Sequence, residues 1–437
     1  GGRYIAVVEE RQLEQFANRG YDVLDKIRAL DPSVSLSMSI GIGRGARTLR
    51  EAQDMAEHAL DMAQGRGGDQ AAEMTPDGFT FYGGVSHGVE KRSKVRSRLV
   101  ADQLVKLIKE ADHVVIMGHR MSDLDAIGAA EGVLRICKIC DVPAVIAVRR
   151  DATLAASLID ALCKAGQKDD FIDPKDALPI ISKRTLCIVV DTYQAGLVES
   201  KDILEKCGKV AVIDHHRKGV GYIENPALVC HEPYSSSASE LVTELLQYVG
   251  ERDDKPNRVE AEGLLAGILL DTQDFTLHTG VRTFEAAAAL RRYGAETERV
   301  RRLFDVTMVE YNAKADLVEK AQMYKNCAIS IGGEVAPEAR VAIAQAANDL
   351  LRIQGVDASF VAVQVGNGVN VSARSMGAVN VQVIMESLGG GGHQTMAAAQ
   401  LKHITPQAAR SRIQDAIDQY YLSQKKTTPE ARPAKGE

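Results

Sequence analysis

Short, almost continuously apolar runs alternate with longer amphipathic stretches through the middle of the chain. Four of these runs read HVVIMG, VPAVIAV, TLCIVVD and KVAVID, and helix-like segments separate them. Runs rich in β-branched residues suit strands that are buried on both faces, as in a parallel sheet with crossover helices. We therefore predict an α/β domain with a parallel sheet over residues 100–305.

Different patterns flank this domain. Residues 1–83 alternate strand-like runs, of which RYIAVVEE is the first, with two amphipathic helical stretches, and they predict an α+β module. Residues 336–423 predict a second, smaller α/β domain in which two strands turn at residues 366–368. The remaining segments are a linker over 84–99, a helical connector over 306–335 and a disordered tail over 424–437.

Composition excludes some classes of protein. The chain has 437 residues, a formal net charge of −6 and 5% aromatic residues. Binding of duplex nucleic acid is not expected, since the basic footprint of such proteins is missing. The seven scattered cysteines fit a reducing compartment. The chain contains no run of eighteen apolar residues, so we predict no membrane-spanning helix in it.

Residues that bind metals stand where the apolar runs end. In an open parallel sheet the carboxyl ends of the strands share one edge, and ligands bind there. Each such acid alone is more often a turn residue or a helix N-cap, but their joint occurrence at successive element ends favours a metal site. The candidates are His119, Asp123, Asp125, Asp191, Asp214, His215, His216 and Asp271.

The chemistry of this set points to two divalent ions. Clustered carboxylates repel each other, so some would stay protonated unless cations neutralised them. Oxygen and imidazole ligands without a thiolate favour Mn²⁺, with Mg²⁺, Fe²⁺ and Co²⁺ as alternatives. One carboxylate would bridge the two ions, and a hydroxide held between them would attack a phosphoryl centre. The residues alone do not decide which histidine of the adjacent pair is the ligand.

The C-terminal domain carries a second constellation. Four consecutive glycines precede a histidine in GGGGH, and such a loop lets backbone N–H groups approach an anion closely. Arg374, in VSARS, can bind a phosphate in a bidentate manner. The alternatives are a flexible turn and a surface arginine. The candidate residues are Ser372, Arg374, Gly389, Gly390, Gly391, Gly392 and His393.

The order of these motifs resembles the DHH phosphoesterase superfamily, and VSARS followed by GGGGH is similar to its DHHA1 subdomain. The likeness covers roughly residues 100–423. It implies that His215 is a ligand of a two-manganese site and that His216, supported by Asp214, is catalytic or contacts phosphate. It also implies that the DHHA1 residues above bind substrate. The remaining ligands that it implies are His119, Asp123, Asp125, Asp191 and Asp271.

The first module resembles the second half of a GGDEF domain, with Arg3, Tyr4 and Ile5 in place of the Asp-Glu-Phe of the signature. This departure implies no cyclase activity. A degenerate GGDEF module joined to DHH and DHHA1 domains is similar to the GdpP (YybT-type) phosphodiesterases, which linearise cyclic di-AMP to 5′-pApA. The resemblance implies control of a second messenger and a longer protein on the cytoplasmic face of the membrane. A homodimer is the default expectation.

Two other functions stay open at this point. An exonuclease or short-oligonucleotide hydrolase of the same superfamily, acting for example on pApA, would use the same site chemistry. A nucleotide-sensing module that has lost catalysis is the alternative that is not an enzyme.

Overall fold

A computed structural model describes residues 4–30, 36–65, 68–83, 94–216, 221–251, 254–334, 340–392 and 395–427. The chain divides into two compact units, Gly1–Phe304 and Asp305–Glu437. Among the described residues, no helix combines the length and the apolar character that crossing a bilayer requires.

The first part of unit one is a small α+β module around a three-stranded sheet. Its strands are ordered β1-β2-β3, with β1 and β2 parallel and β3 antiparallel to β2. The predicted first strand is wrong, because residues 4–9 have no regular secondary structure. The first of the two predicted helical stretches, RQLEQFANRGYDVLDKIRAL, is not one helix. It divides at Gly20 and Tyr21, whose φ angles of 62° and 54° cannot continue a helix. The elements are α1 (Glu10–Asn18), α2 (Val23–Arg28), β1 (Ile40–Gly43), α3 (Leu49–Gly65), β2 (Gln70–Thr75) and β3 (Gly78–Gly83).

The second part of unit one is the predicted parallel-sheet domain. Six parallel strands are ordered β6-β5-β4-β7-β8-β9. The strands are β4 (His113–Met117), β5 (Ala144–Ala147), β6 (Phe171–Ile172), β7 (Thr185–Val190), β8 (Lys209–Asp214) and β9 (Leu228–His231). The helices are α4 (Lys94–Glu110), α5 (Leu124–Ile139), α6 (Ala156–Leu162), α7 (Pro174–Ala177), α8 (Lys201–Lys206), α9 (Ala238–Leu246), α10 (Arg258–Thr272), α11 (Val281–Arg292) and α12 (Thr297–Arg302).

Alternation along the strands divides the core into two layers. Val114 and Ile116 of β4 join a cluster with residues of α5, α9 and α10, whereas Val115 and Met117 face a cluster that includes Ile203 of α8. Both faces are therefore apolar, which explains the continuous hydrophobic runs in the sequence. The chain leaves β4 towards β5 and β6 and returns to the other side of β4 with β7. This reversal makes the carboxyl ends of β4 and β7 a topological switch point, where open α/β sheets bind ligands.

Unit two is built on a mixed sheet with the order β10-β11-β12-β13-β15-β14. The predicted turn is confirmed, since Val365 of β12 pairs with Gly368 of β13 and Gly366 has a φ of 55°. The helical connector predicted over 306–335 is helical only over Met308–Glu319, and its second half supplies two strands of this sheet. The elements are α13 (Met308–Glu319), β10 (Gln322–Tyr324), β11 (Cys327–Glu334), α14 (Arg340–Leu350), β12 (Ala358–Val365), β13 (Gly368–Ser375), α15 (Val381–Ser387), β14 (Gly391–Gly392), β15 (Met396–Lys402) and α16 (Pro406–Thr427).

Candidate metal centre

All six predicted metal ligands meet at the carboxyl edge of the parallel sheet. They come from the segment after β4, the start of α5, the ends of β7 and β8, and the last turn of α10. Ligand atoms within each of three groups lie within 4.8 Å of one another. The groups are His119 with Asp123 and Asp191, Asp125 with His215 and Asp271, and Asp191 with His215 and His216.

Asp191 lies at the centre of the cluster. Its Oδ2 is 3.4 Å from Nε2 of His119, and its Oδ1 is 3.4 Å from Nε2 of His215. The residue ends β7 with a φ of 57°, in the left-handed region. Its backbone N–H still donates to the carbonyl of Ile213 at 2.9 Å, so the strand pairing with β8 continues up to the site. Aspartate tolerates this backbone conformation better than most residues do.

Hydrogen bonds fix the tautomers of both histidines. Nδ1 of His119 donates to the carbonyl of Arg120 at 2.9 Å, and Nδ1 of His215 donates to the carbonyl of Ser235 at 3.3 Å. A carbonyl only accepts, so each Nδ1 carries the hydrogen and each neutral ring presents a bare Nε2. Nε2 of His215 also lies 3.0 Å from Oδ2 of Asp271 and 3.9 Å from Oδ2 of Asp125.

Asp123 and Asp125 reach the site from the start of a helix rather than from a loop. Asp123 is the N-cap of α5, and its Oδ1 accepts the backbone N–H groups of Asp125 and Ala126 at 3.0 and 3.1 Å. Asp125, in the first turn, is completely buried. Its carboxylate accepts the N–H groups of Ala238 and Ser239 at 2.7 and 2.9 Å, at the N-terminus of α9.

The cluster perturbs the pKa values of several of its members. Burial opposes protonation of His119, yet the carboxylates of Asp123 and Asp191 raise its pKa to about 12. Burial and the neighbouring carboxylates of Asp191 and Asp271 raise the pKa of Asp125 well above its usual range. Burial also disfavours the Asp191 carboxylate, but His119 and His215 hold its pKa below the usual range. Protons on His119 and Asp125 would therefore reduce the repulsion among the carboxylates, as bound cations would.

The donor set fits divalent metal ions. Oδ1 of Asp191 and Nε2 of His215 are buried and have no hydrogen-bond partner, although both are strong ligand atoms. Oxygen and imidazole donors without a thiolate suit Mn²⁺ and related ions. The second histidine of the pair differs from the first, because Nδ1 of His216 lies 2.8 Å from Oδ1 of buried Asp214. His216 also lies 3.5 Å from Asp191, inside the third group of ligands.

In unit two, the described residues of the predicted phosphate-binding set lie on β13 and on or just before β14, the two strands that flank β15. Ser372 and Arg374 share one face of β13, and the register places Ala398 of β15 between Ser372 and Gly391 of β14. Nη1 of Arg374 donates to Ser372 Oγ at 3.1 Å, while its Nε is buried without a partner. Burial lowers the pKa of Arg374 to about 10.

Close packing requires two glycines of the run, Gly390 and Gly392, and a third, Gly389, has a left-handed backbone. A Cβ on Gly390 would lie 2.2 Å from the carbonyl oxygen of Ala398, and Gly389 has a φ of 80°. A Cβ on Gly392 would lie 2.5 Å from the carbonyl oxygen of Met396. His393, like Arg3, lies outside the described residues.

Sequence reasoning missed the segment SSSASE, residues 235–240. Its first carbonyl orients His215, and its backbone N–H groups hold Asp125. A serine run ahead of an apolar helix is an N-cap signal, and Ser237 is indeed the N-cap of α9. That signal predicts a helix start but not the ligands that the helix start holds.

Comparison with known sequences agrees with this architecture. The profile of the DHH family, N-terminal domain, matches residues 113–268, and that of the DHHA1 domain matches residues 336–422. Fold and site therefore define a DHH–DHHA1 protein. The profile described as "Cyclic-di-AMP phosphodiesterase GdpP-like, GGDEF domain" matches residues 1–78.

Two curated relatives carry the name "Cyclic-di-AMP phosphodiesterase GdpP". The protein from Geobacillus thermodenitrificans (strain NG80-2) is 44% identical over 427 residues, and that from Bacillus subtilis (strain 168) is 42% identical over 431. Each alignment covers 96% of this chain and 65% of the relative, so the chain spans less than two thirds of either. With the three matched domains, these similarities show that the chain belongs to the GdpP-type family.

A solved structure shows the same fold at lower sequence similarity. An exopolyphosphatase-related protein from Bacteroides fragilis superposes with a TM-score of 0.64 and 19% identity, covering 75% of this chain and 98% of its own. At this identity the match supports the fold alone.

Proposed function

We propose that this chain is a metal-dependent phosphodiesterase that hydrolyses cyclic di-AMP to 5′-pApA and so controls a second-messenger level. The observation that carries the proposal is the buried cluster around Asp191, in which Oδ1 of Asp191 and Nε2 of His215 lack any other partner. The relatives that are 42–44% identical are named for the same substrate.

Two divalent ions, preferably Mn²⁺, fit the three overlapping groups of ligands. His119 and Asp123 would hold one ion, and Asp125, His215 and Asp271 would hold the other. Asp191 would bridge them, because its two oxygens face different histidines. Bound ions of this type polarise a phosphoryl oxygen and activate water at neutral pH.

Hydrogen bonds within the chain hold the side chains of this site in fixed orientations. Carbonyl acceptors hold both imidazoles with Nε2 directed into the cluster. Asp214 fixes the orientation of the His216 ring. We propose that His216 contacts the substrate phosphate or its leaving oxygen. Preorganised groups of this kind need no rearrangement during reaction, which lowers the barrier.

Unit two supplies the proposed phosphate-binding residues. Arg374 carries a buried Nε without a partner and has no ion pair among the described residues, so an anionic ligand would satisfy it. Ser372, Gly389, Gly390, Gly391, Gly392 and His393 complete the proposed set. Homodimerisation, membrane attachment of a longer protein and the lack of duplex binding stay predictions from the sequence.

The test is an assay of cyclic di-AMP and pApA side by side, with and without Mn²⁺, with products separated by chromatography. We expect Mn²⁺-dependent conversion of cyclic di-AMP to pApA. Faster hydrolysis of pApA than of the cyclic substrate would instead identify a short-oligonucleotide hydrolase. Tight binding of cyclic di-AMP without turnover would identify a sensing module.

A matched pair of variants tests the role of Asp191. Asp191→Asn keeps the shape and the tolerance for a left-handed backbone but removes the bridging charge. We expect loss of about 10³-fold or more in kcat. Asp141→Asn is the control, since Asp141 also has a positive φ, of 54°, and lies exposed ahead of β5 at the opposite edge of the sheet. Full activity of Asp191→Asn would refute the assignment.

A further inference from the structure

One short segment holds two proposed metal ligands that come from different elements. The carbonyl of Ser235 accepts from Nδ1 of His215, which ends β8, at 3.3 Å. Three residues later, the N–H groups of Ala238 and Ser239 donate to both oxygens of Asp125, from α5, at 2.7 and 2.9 Å. A displacement of this segment would therefore move a histidine and a carboxylate of the same group together.

Glu240 anchors that segment. The side chain is 1% exposed, and its Oε1 accepts from Ser235 Oγ at 2.9 Å. Its Oε2 accepts from the backbone N–H of Ser236 at 3.3 Å and from Ser236 Oγ at 2.6 Å. The same oxygen accepts from Thr283 Oγ1 of α11 at 2.7 Å, which fixes the carboxylate from the opposite side.

We propose that Glu240 is a positioning residue of the metal centre, which sets the orientation of His215 and Asp125 without touching a metal or the substrate. The proposal rests on the metal site of the proposed function. Partners one step beyond the ligands orient them, and removal of such partners typically costs 10- to 100-fold in metal affinity or activity. Here a single carboxylate holds a segment that contacts two ligands.

Glu244 provides the control, because its loss should affect the stability of α9 without affecting the positioning of His215 and Asp125. It lies one turn further along the same helix, is 5% exposed, and accepts from Ser97 Oγ at 3.0 Å and from Nε of Arg282 at 2.6 Å. These two partners belong to α4 and α11. Loss of Glu244 therefore removes a buried carboxylate of the same helix while leaving the segment anchored.

The experiment compares Glu240→Gln with Glu244→Gln. Gln at 240 removes the charge and offers one acceptor oxygen in place of two, so either Ser235 or Ser236 loses its present acceptor. Mn²⁺ affinity of metal-free protein is measured by calorimetry and by electron paramagnetic resonance of unbound Mn²⁺. We expect the Kd to rise about 10-fold or more for Glu240→Gln and to stay within about twofold for Glu244→Gln. Excess Mn²⁺ should restore the kcat of Glu240→Gln.

The outcomes separate this inference from the proposed function. Wild-type protein that binds no Mn²⁺ would overturn the metal site itself, whereas an unchanged Kd in folded Glu240→Gln would overturn only the role of Glu240. Equal losses in both variants would reduce Glu240 to a stability residue. If Glu240→Gln does not fold, Ser236→Ala decides, because it deletes one hydroxyl bonded to the carboxylate. We expect about a threefold rise in its Kd, and no rise would overturn the proposal.

Discussion

Gly267 of α10 makes room for Asp125, a proposed metal ligand, and its replacement by alanine should damage the site more than the fold. A Cβ at this position would lie 2.2 Å from Ser239 Oγ, 2.6 Å from Oδ1 of Asp125 and 2.8 Å from Cα of Asp125. The serine hydroxyl can rotate away, but the other two atoms belong to the backbone and to the hydrogen-bonded carboxylate of fully buried Asp125, so side-chain rotation cannot relieve the whole overlap. Either Asp125 or α10 must move.

The size of that movement sets the expected effect. Ordinary van der Waals contacts begin near 3.4 Å, so the approach of 2.6 Å to Oδ1 of Asp125 demands a shift of about 1 Å. Alanine within a helix gains about 1 kcal/mol over glycine, whereas overpacking a core costs about 1–3 kcal/mol, so the free energy of unfolding should fall by no more than about 2 kcal/mol. A displacement of about 1 Å at a catalytic centre can cost about 100-fold in rate. We expect that loss in kcat/KM and at least a 10-fold weaker Mn²⁺ affinity.

Gly263 provides the matched control. It lies one turn earlier on α10, and a Cβ there would meet only the side chain of Leu158, at 3.1 Å or more. Calorimetry with Mn²⁺, hydrolysis of cyclic di-AMP and urea unfolding in a chelator should be measured for Gly263→Ala, Gly267→Ala and the wild type. We expect the control to retain metal affinity and activity.

Two results would refute this reasoning. If Gly267→Ala binds Mn²⁺ and turns over like the wild type, the Asp125 carboxylate does not lie against α10 as described. If both variants lose affinity equally, the effect belongs to the helix and not to the ligand.

Two further predictions concern protons. Mn²⁺ binding near pH 7 should release protons, and Mn²⁺ affinity should rise with pH. The reason is that adjacent carboxylates raise the pKa of His119 to about 12 and that of His215 well above its usual range, whereas only neutral rings bind a metal. Calorimetry in buffers of different ionisation enthalpy measures the proton release, and a release of zero would contradict the prediction. Burial and Glu260 raise the pKa of Glu131 to about 8, above its ordinary 4.5. The folded state therefore binds the extra proton between these values, and stability should fall by up to about 1.4 kcal/mol per unit as pH rises through this window. Glu131→Gln should abolish that slope in urea unfolding, and an unchanged slope would exclude Glu131 as its source.

The sequence predicted the ligand cluster because topology, not local geometry, gathers it. Each apolar run of the middle domain became a buried parallel strand, and strands in a parallel sheet present their carboxyl ends at one edge. Residues as distant as His119 and Asp271 could therefore be placed together without any knowledge of loop conformation. The same rule does not apply to unit two, because its sheet is mixed. There the proximity of the predicted phosphate-binding residues depends on strand register.

Errors arose where local propensity competed with tertiary pairing. The run CAISIGGE became β11 because it pairs with β12, although the polar helix α13 ahead of it suggested a continuous connector. At the other end, RYIAVVEE has strand propensity but no regular secondary structure, and Tyr4 and Ile5 are 92% and 74% exposed. Strand propensity reports a fit to a half-buried pleated surface, so a run without such a surface does not form a strand.

The supporting residues of the metal centre were beyond sequence reasoning for a different reason. A candidate metal ligand can be recognised in the sequence by its residue type and by its position at the end of a strand or helix. A supporting residue is defined only by the groups that it contacts. Glu240 and Glu244 are identical residues one turn apart on one buried helix, yet the first accepts hydrogen bonds from Ser235 and Ser236, whereas the second accepts them from Ser97 and Arg282. The choice between them depends on the angle at which α9 meets α5 and α11, which no local pattern encodes. The structure therefore adds most at these positions, because it distinguishes two glutamates that the sequence presents as equivalent.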